Sequence, residues 1–126
     1  MLPLRHPWLW LALGWLLVLT VIVGSLAPSP MLSAITIRDK ALHAGSYFLL
    51  MVWFAGLYPR GRQAVVALVL LALGIALDVL QAGTATRTFD LHDILANALG
   101  ILLGLILSLA LLAGWCQRIE RLLTAR

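Results

Sequence analysis

The sequence predicts an all-α membrane protein: a four-helix transmembrane bundle with the N and C termini cytoplasmic. Three observations predict it. Hydrophobic residues make up 63% of the 126-residue chain and charged residues 11%, with a mean hydropathy of +1.03, whereas soluble domains carry about 25% charged residues. Four apolar runs, at about 8–27, 40–58, 64–82 and 91–115, meet the need for ~20 mainly apolar residues in a span. The basic residues are also unevenly divided between the connecting segments. Arg5, Arg60, Arg62, Arg118, Arg121 and Arg126 fall on one side, and Arg38, Lys40 and Arg87 on the other. The richer side is cytoplasmic by the positive-inside rule. That rule also accounts for the net charge of +4 without a nucleic-acid partner. The whole chain, 1–126, reads as a single domain.

The first span, Trp8 to Ala27, follows Arg5 and His6. A signal peptide is the rival reading, because Ser25-Leu26-Ala27 resembles a small-residue cleavage site. The apolar run to Val23 exceeds the usual ~7–15-residue core, and Pro28 would follow the cut directly, so retention as a span is expected. Pro28-Ser29-Pro30-Met31-Leu32-Ser33 is a stiff connector, since proline disfavours helix at and before itself. Thr36 and Asp39 have capping-box spacing ahead of the second span. Tyr58-Pro59-Arg60-Gly61-Arg62 makes a tight turn into the third, which ends near Gln81 and Gly83. Asp90 is placed to cap the fourth span, which is expected to run to about Trp115. The tail from Gln117 to Leu123 reads as a short amphipathic interfacial helix. Trp8, Trp10, Trp115 and Tyr58 fit interfacial anchors. The single cysteine, Cys116, excludes an intramolecular disulfide and a cysteine-rich metal site.

Four of the five acids, Asp39, Asp78, Asp90 and Asp93, gather toward the outer side with Lys40, His43, Gln81, Arg87, His92 and Asn97. The inner half has almost no polar side chain, which argues against a channel. Polar groups in a membrane are costly unless paired, so this asymmetry points to function. Each helix carries a directed set. Asp39, Lys40, His43 and Tyr47 lie within about a 100° arc of the second span; Gly74, Asp78 and Gln81 share a face of the third. On the fourth, Asp93, Asn97, Gly100, Gly104 and Ser108 fall within about 80°. Capping alone can account for Asp39 and Asp93 near helix N-termini, and a salt bridge to Arg87 can account for Asp78. His92 points about 100° away from Asp93, toward loop or headgroup. Gly100 and Gly104 form a GxxxG, the spacing of close helix approach within a bundle or across a homo-oligomer.

Together, Asp39-Lys40-x-x-His43-x-x-x-Tyr47, Asp78-x-x-Gln81 and Arg87-x-Phe89-Asp90-x-x-Asp93-x-x-x-Asn97-x-x-Gly100-x-x-x-Gly104 resemble the VanZ-like family of small bacterial membrane proteins. The match spans about residues 36–108. Asp78 departs from the family's more usual glutamate, shortening the acid's reach by about one methylene. The resemblance implies a multi-pass protein of the bacterial cytoplasmic (inner) membrane and cell envelope, in a family named for teicoplanin resistance.

Two functions follow. In the favoured one, an outward-facing pocket binds a lipid-linked cell-wall precursor, another membrane lipid or an envelope protein. Lys40, Tyr47, Asp78, Gln81, Arg87, Asp90 and Asn97 are the binding residues, with Lys40 and Arg87 available to a phosphate. In the alternative, the chain is an enzyme acting on a phospholipid or polyprenyl headgroup. Its catalytic candidates are His43 with Asp39 as general base, and Asp93; a divalent metal on His43 and the carboxylates is a variant. No HExxH, nucleophile elbow or P-loop is present. The sequence identifies no cofactor and no dedicated metal site.

Overall fold

The structure, a computed structural model, describes residues 1–27, 36–84 and 88–125, and of residues 36–39 the backbone alone. Its elements are α1 (Pro7–Leu26), α2 (Thr36–Leu57), α3 (Arg60–Ala82) and α4 (Leu91–Leu107). A π-helical turn at Ser108–Leu112 continues α4, and α5 (Trp115–Thr124) completes the chain. Prolines set two of the starts. Pro7 opens α1, where its missing N–H costs nothing, and extended Pro59 precedes α3. Asp90 caps α4, its carboxylate accepting from the His92 N–H at 2.9 Å. The connector at 28–33, the side chains of Thr36, Arg38 and Asp39, and Arg87 lie outside what is described.

In the fourth apolar run regular α-helix ends at Leu107, and the helical path continues through the π turn to Leu112. The carbonyl of Leu109 accepts from Arg60 Nη2 at 3.1 Å, and that of Leu111 from Arg118 Nη1 at 3.0 Å. These guanidinium contacts lie beside the widened turn, whose carbonyls they satisfy. Gly114, at φ 68°, then reverses the chain in the left-handed region that favours glycine. Trp115 therefore opens α5.

Three segments are long and apolar enough to cross a membrane: Pro7–Leu26, Arg60–Ala82 and Leu91–Leu112. Their outward faces carry Leu16, Leu19, Leu68, Val69, Leu102 and Leu103, each more than half exposed. Apolar exposure on that scale suits lipid rather than water. The 22-residue α2 is different. Its first turns are polar, and it supplies Tyr47, Leu50, Met51, Phe54, Ala55 and Leu57 to the core. It packs on α1, α3 and, most extensively, α4.

α2 and α4 run parallel. Lys40 meets Asp93, His43 meets Asn97, and Met51 lies beside Gly104, a nearly constant offset along both helices. The GxxxG makes this possible. A Cβ at Gly100 would collide with the backbone carbonyl of Ala44, and one at Gly104 would stand 3.0 Å from the Phe48 carbonyl oxygen. Both glycines are thus occupied within the chain.

The other end is closed by the termini. Glu120 of α5 accepts from the N–H groups of Arg5 (2.6 Å) and His6 (3.0 Å) and from the Trp10 indole (2.8 Å). It thereby satisfies donors at the start of α1 and places a negative charge at its positive dipole end. Trp10, Trp53 and Trp115 form a three-ring cluster with centroids 5.3–5.8 Å apart. Trp10 and Trp115 are therefore packing residues rather than free interfacial anchors, whereas Trp8 remains 69% exposed. The arginine-rich half is also less dry than the sequence suggests: Gln63 and Ser108 are both fully buried there.

Candidate functional site

The site lies where the N-terminal turns of α2 and α4 meet the C-terminal half of α3. At its rim, Lys40 Nζ is 3.0 Å from Asp90 Oδ2 and 3.4 Å from Asp93 Oδ1. Two parallel helices direct their positive dipole ends here, which favours the carboxylates and disfavours the ammonium. Flanking Lys40 with two acids resolves that conflict. The His92 backbone N–H, the Lys40 ammonium and the His92 ring hold the Asp90 carboxyl well below the usual carboxylate range. Lys40 is consequently neutralised within the chain and does not stand free for a phosphate. Asp93, a separate catalytic candidate in the sequence, is one of the two acids on Lys40. His92 is 74% exposed and contacts Asp90 at 2.9 Å, as its outward direction predicts.

One turn deeper, a hydrogen-bonded chain crosses three helices. Asn97 of α4 donates from Nδ2 to Asp78 Oδ2 of α3 at 3.4 Å, and its Oδ1 lies 3.1 Å from His43 Nδ1 of α2. The polarity of this chain follows from chemistry. The amide nitrogen faces Asp78 and the amide oxygen, which only accepts, faces His43. His43 Nδ1 must then carry the proton. In the neutral ring, Nε2 is left as an acceptor. Asn97 is 1% exposed and Asp78 4%, so both polar groups are paired as buried groups require.

Tyr47, one turn along from His43, is 1% exposed and packs toward Gly74. A Cβ at Gly74 would stand 3.0 Å from Asn97 Nδ2 and 3.3 Å from the Tyr47 hydroxyl, so this glycine admits α3 to the group. The Tyr47 hydroxyl has no hydrogen-bond partner among the described residues. Gln81 leaves the expected set. Its Nε2 donates to the Ser25 carbonyl at 2.6 Å, tying α3 to the end of α1. The expected roles of Asp39 and Arg87 fall on groups that are not described.

A groove of about 230 Å³ opens between α1 and α2 onto this chain. Thr20, Ser25 and Ser46 bring hydroxyls to its lining and His43 an imidazole, while Tyr47, Val21 and Leu42 give it walls. Among the described residues no three His, Cys, Asp or Glu side chains gather as a metal-holding group. Sequence reasoning placed His43, Asp78 and Asn97 together but missed Ser46, Thr20 and Ser25. Small hydroxyl residues on an apolar helix carry little signal, because they also bond their own backbone, as Thr20 does to Leu16 at 2.8 Å.

No protein-family model and no solved structure matches the chain. The chain is similar to an uncharacterized protein of the fission yeast Schizosaccharomyces pombe, at 34% identity over 97 residues. That match takes in 74% of this chain and 59% of the length of the yeast protein.

Proposed function

We propose that this chain is a four-span, multi-pass membrane protein with cytoplasmic termini, and that its outward groove binds the headgroup of a membrane amphiphile without transforming it. The observation that carries the reading is the His43–Asn97–Asp78 chain, whose His43 end lines a groove between helices. A protein that needed these residues only for packing would bury the imidazole, whereas His43 lines the groove. The hydroxyl-rich lining suits a polar, uncharged headgroup, and the lateral opening between α1 and α2 suits a ligand arriving from the bilayer. The fourth span is α2, whose Lys40 stands at the rim and whose His43 lines the groove.

The resemblance to VanZ-like proteins supports placement in a bacterial inner membrane and cell envelope, with a lipid-linked or cell-wall component as ligand. The similarity to a yeast protein favours a lipid common to both kinds of membrane over a cell-wall precursor or a resistance role. Catalysis on a phospholipid or polyprenyl headgroup is the second reading, and the His43 Nε2 acceptor favours it as general base. Among the described residues the partner of the His43 ring is the amide of Asn97, and the hydroxyl-lined groove supports binding as the first reading.

Lipid mass spectrometry of material co-purified with the detergent-solubilised chain tests this. One amphiphile is expected to be enriched in the wild type and lost from Ser46→Trp, which fills the groove. Equal lipid profiles in the two proteins contradict the proposal, and a chemically altered amphiphile in the wild type alone favours the enzyme.

A further inference from the structure

A second groove, of about 630 Å³, lies on the other side of α1, between α1 and α3. Its floor is Phe54 of α2 and Tyr58 just beyond that helix; Trp15 and Ile22 line one wall and Val65, Val69 and Leu73 the other. Arg62 is the one charged residue that lines it. On α3, Arg62 to Leu73 spans about 17 Å at ~1.5 Å per residue. Half of a ~30 Å hydrocarbon core, one leaflet, is about 15 Å. The groove is therefore about one leaflet deep, with Arg62 at one end and Leu73 at the other.

Charge decides what enters. The Arg62 end holds Arg5, Arg60, Arg62, Arg118 and Arg121 against Glu120, whose carboxylate is already taken by Arg5, His6 and Trp10. Arg60 and Arg118 donate to carbonyls of the π-helical turn and Ala113. Arg62, exposed at the groove mouth beside Tyr58, is left to face an anion at headgroup level, where Tyr and Arg side chains suit the interface. We infer that this groove is a binding site for one anionic phospholipid of the arginine-side leaflet, an acyl chain lying along Val65, Val69 and Leu73 and the phosphate on Arg62. The guanidinium supplies charge-assisted hydrogen bonds to the phosphate, and the β-branched valines give the groove a stiff wall.

The test is native mass spectrometry of the full chain, released from micelles after incubation with equal amounts of phosphatidylglycerol and phosphatidylcholine. Wild type is expected to retain one phosphatidylglycerol at about tenfold excess, the value of roughly one charge-assisted contact. Arg62→Gln should bring phosphatidylglycerol down to the phosphatidylcholine level, while Arg60→Gln keeps the preference. Val69→Trp, or Leu73→Trp if the first fails to fold, should remove both lipids. Equal retention of the two lipids by wild type overturns the inference. So does a preference that survives Arg62→Gln, or a lipid that survives the filled groove. Ser46→Trp leaves this site untouched, so its outcome is independent of the outward groove.

Discussion

Replacing Gly100 by alanine probes the contact on which the candidate site depends. The new Cβ would press on the Ala44 carbonyl, which is backbone and cannot turn away. Relaxing to an ordinary C···O contact of about 3.3–3.6 Å requires α2 and α4 to part by roughly 1.5 Å. Overpacking of this kind costs about 1–3 kcal/mol. The same movement stretches the His43–Asn97 contact from 3.1 Å past hydrogen-bonding range, adding about 1–3 kcal/mol for buried groups left unsatisfied. Together these give a loss of about 2–6 kcal/mol. Equilibrium unfolding in mixed dodecyl maltoside and SDS micelles, followed by helical circular dichroism, measures it. Gly45→Ala is the control: nothing lies within 4 Å of its Cβ, so it should be neutral or stabilise by up to ~1 kcal/mol through helix propensity. A Gly100→Ala loss below ~0.5 kcal/mol, or equal losses at the two positions, would refute the claim that these glycines hold α2 and α4 together.

Two further predictions concern the ends of the molecule. The Asp90 carboxyl is depressed in the folded state, so its contribution is fully present above the ordinary carboxylate range and is lost as pH falls through the lowered folded value. Thermal unfolding followed from pH 7 downward should show a decline in stability below about pH 4 that Asp90→Asn reduces; an unchanged acid limb contradicts the rim geometry. Burial, then the nearby Glu120 charge, pushes the Cys116 thiol up to about 12. Maleimide should therefore label it at neutral pH only when the packing of α5 on α2 opens, and rapid labelling of the native protein in micelles would contradict that packing.

The legible parts of the fold were those in which one helix speaks for itself. Asp93, Asn97, Gly100 and Gly104 declared a polar-to-small stripe, and the structure sets that stripe against α2. Which helix would receive it was not legible, because short loops favour antiparallel neighbours while the intimate pair here is the parallel one. Lys40 illustrates the same limit: its charge suggested a phosphate, and only the register of α2 on α4 shows it spent on Asp90 and Asp93. Gln81 finds a backbone carbonyl, a partner that no side-chain pattern reveals. Trp53 was missed because a tryptophan in an apolar run signals burial without naming the rings it meets. Glu120 did leave a signal, as the lone acid among the arginines of its end.

The central claim is that Asp78 and Asn97 fix the imidazole of His43 with its proton on Nδ1 and its Nε2 open to the groove. Nitrogen-15 NMR of histidine-labelled protein in lipid nanodiscs reads this directly, with His43→Gln assigning the resonance. The account predicts a neutral ring protonated at Nδ1 in the wild type, and loss of that preference in Asn97→Leu. A His43 ring protonated at Nε2 in the wild type, or a tautomer indifferent to Asn97, would contradict it.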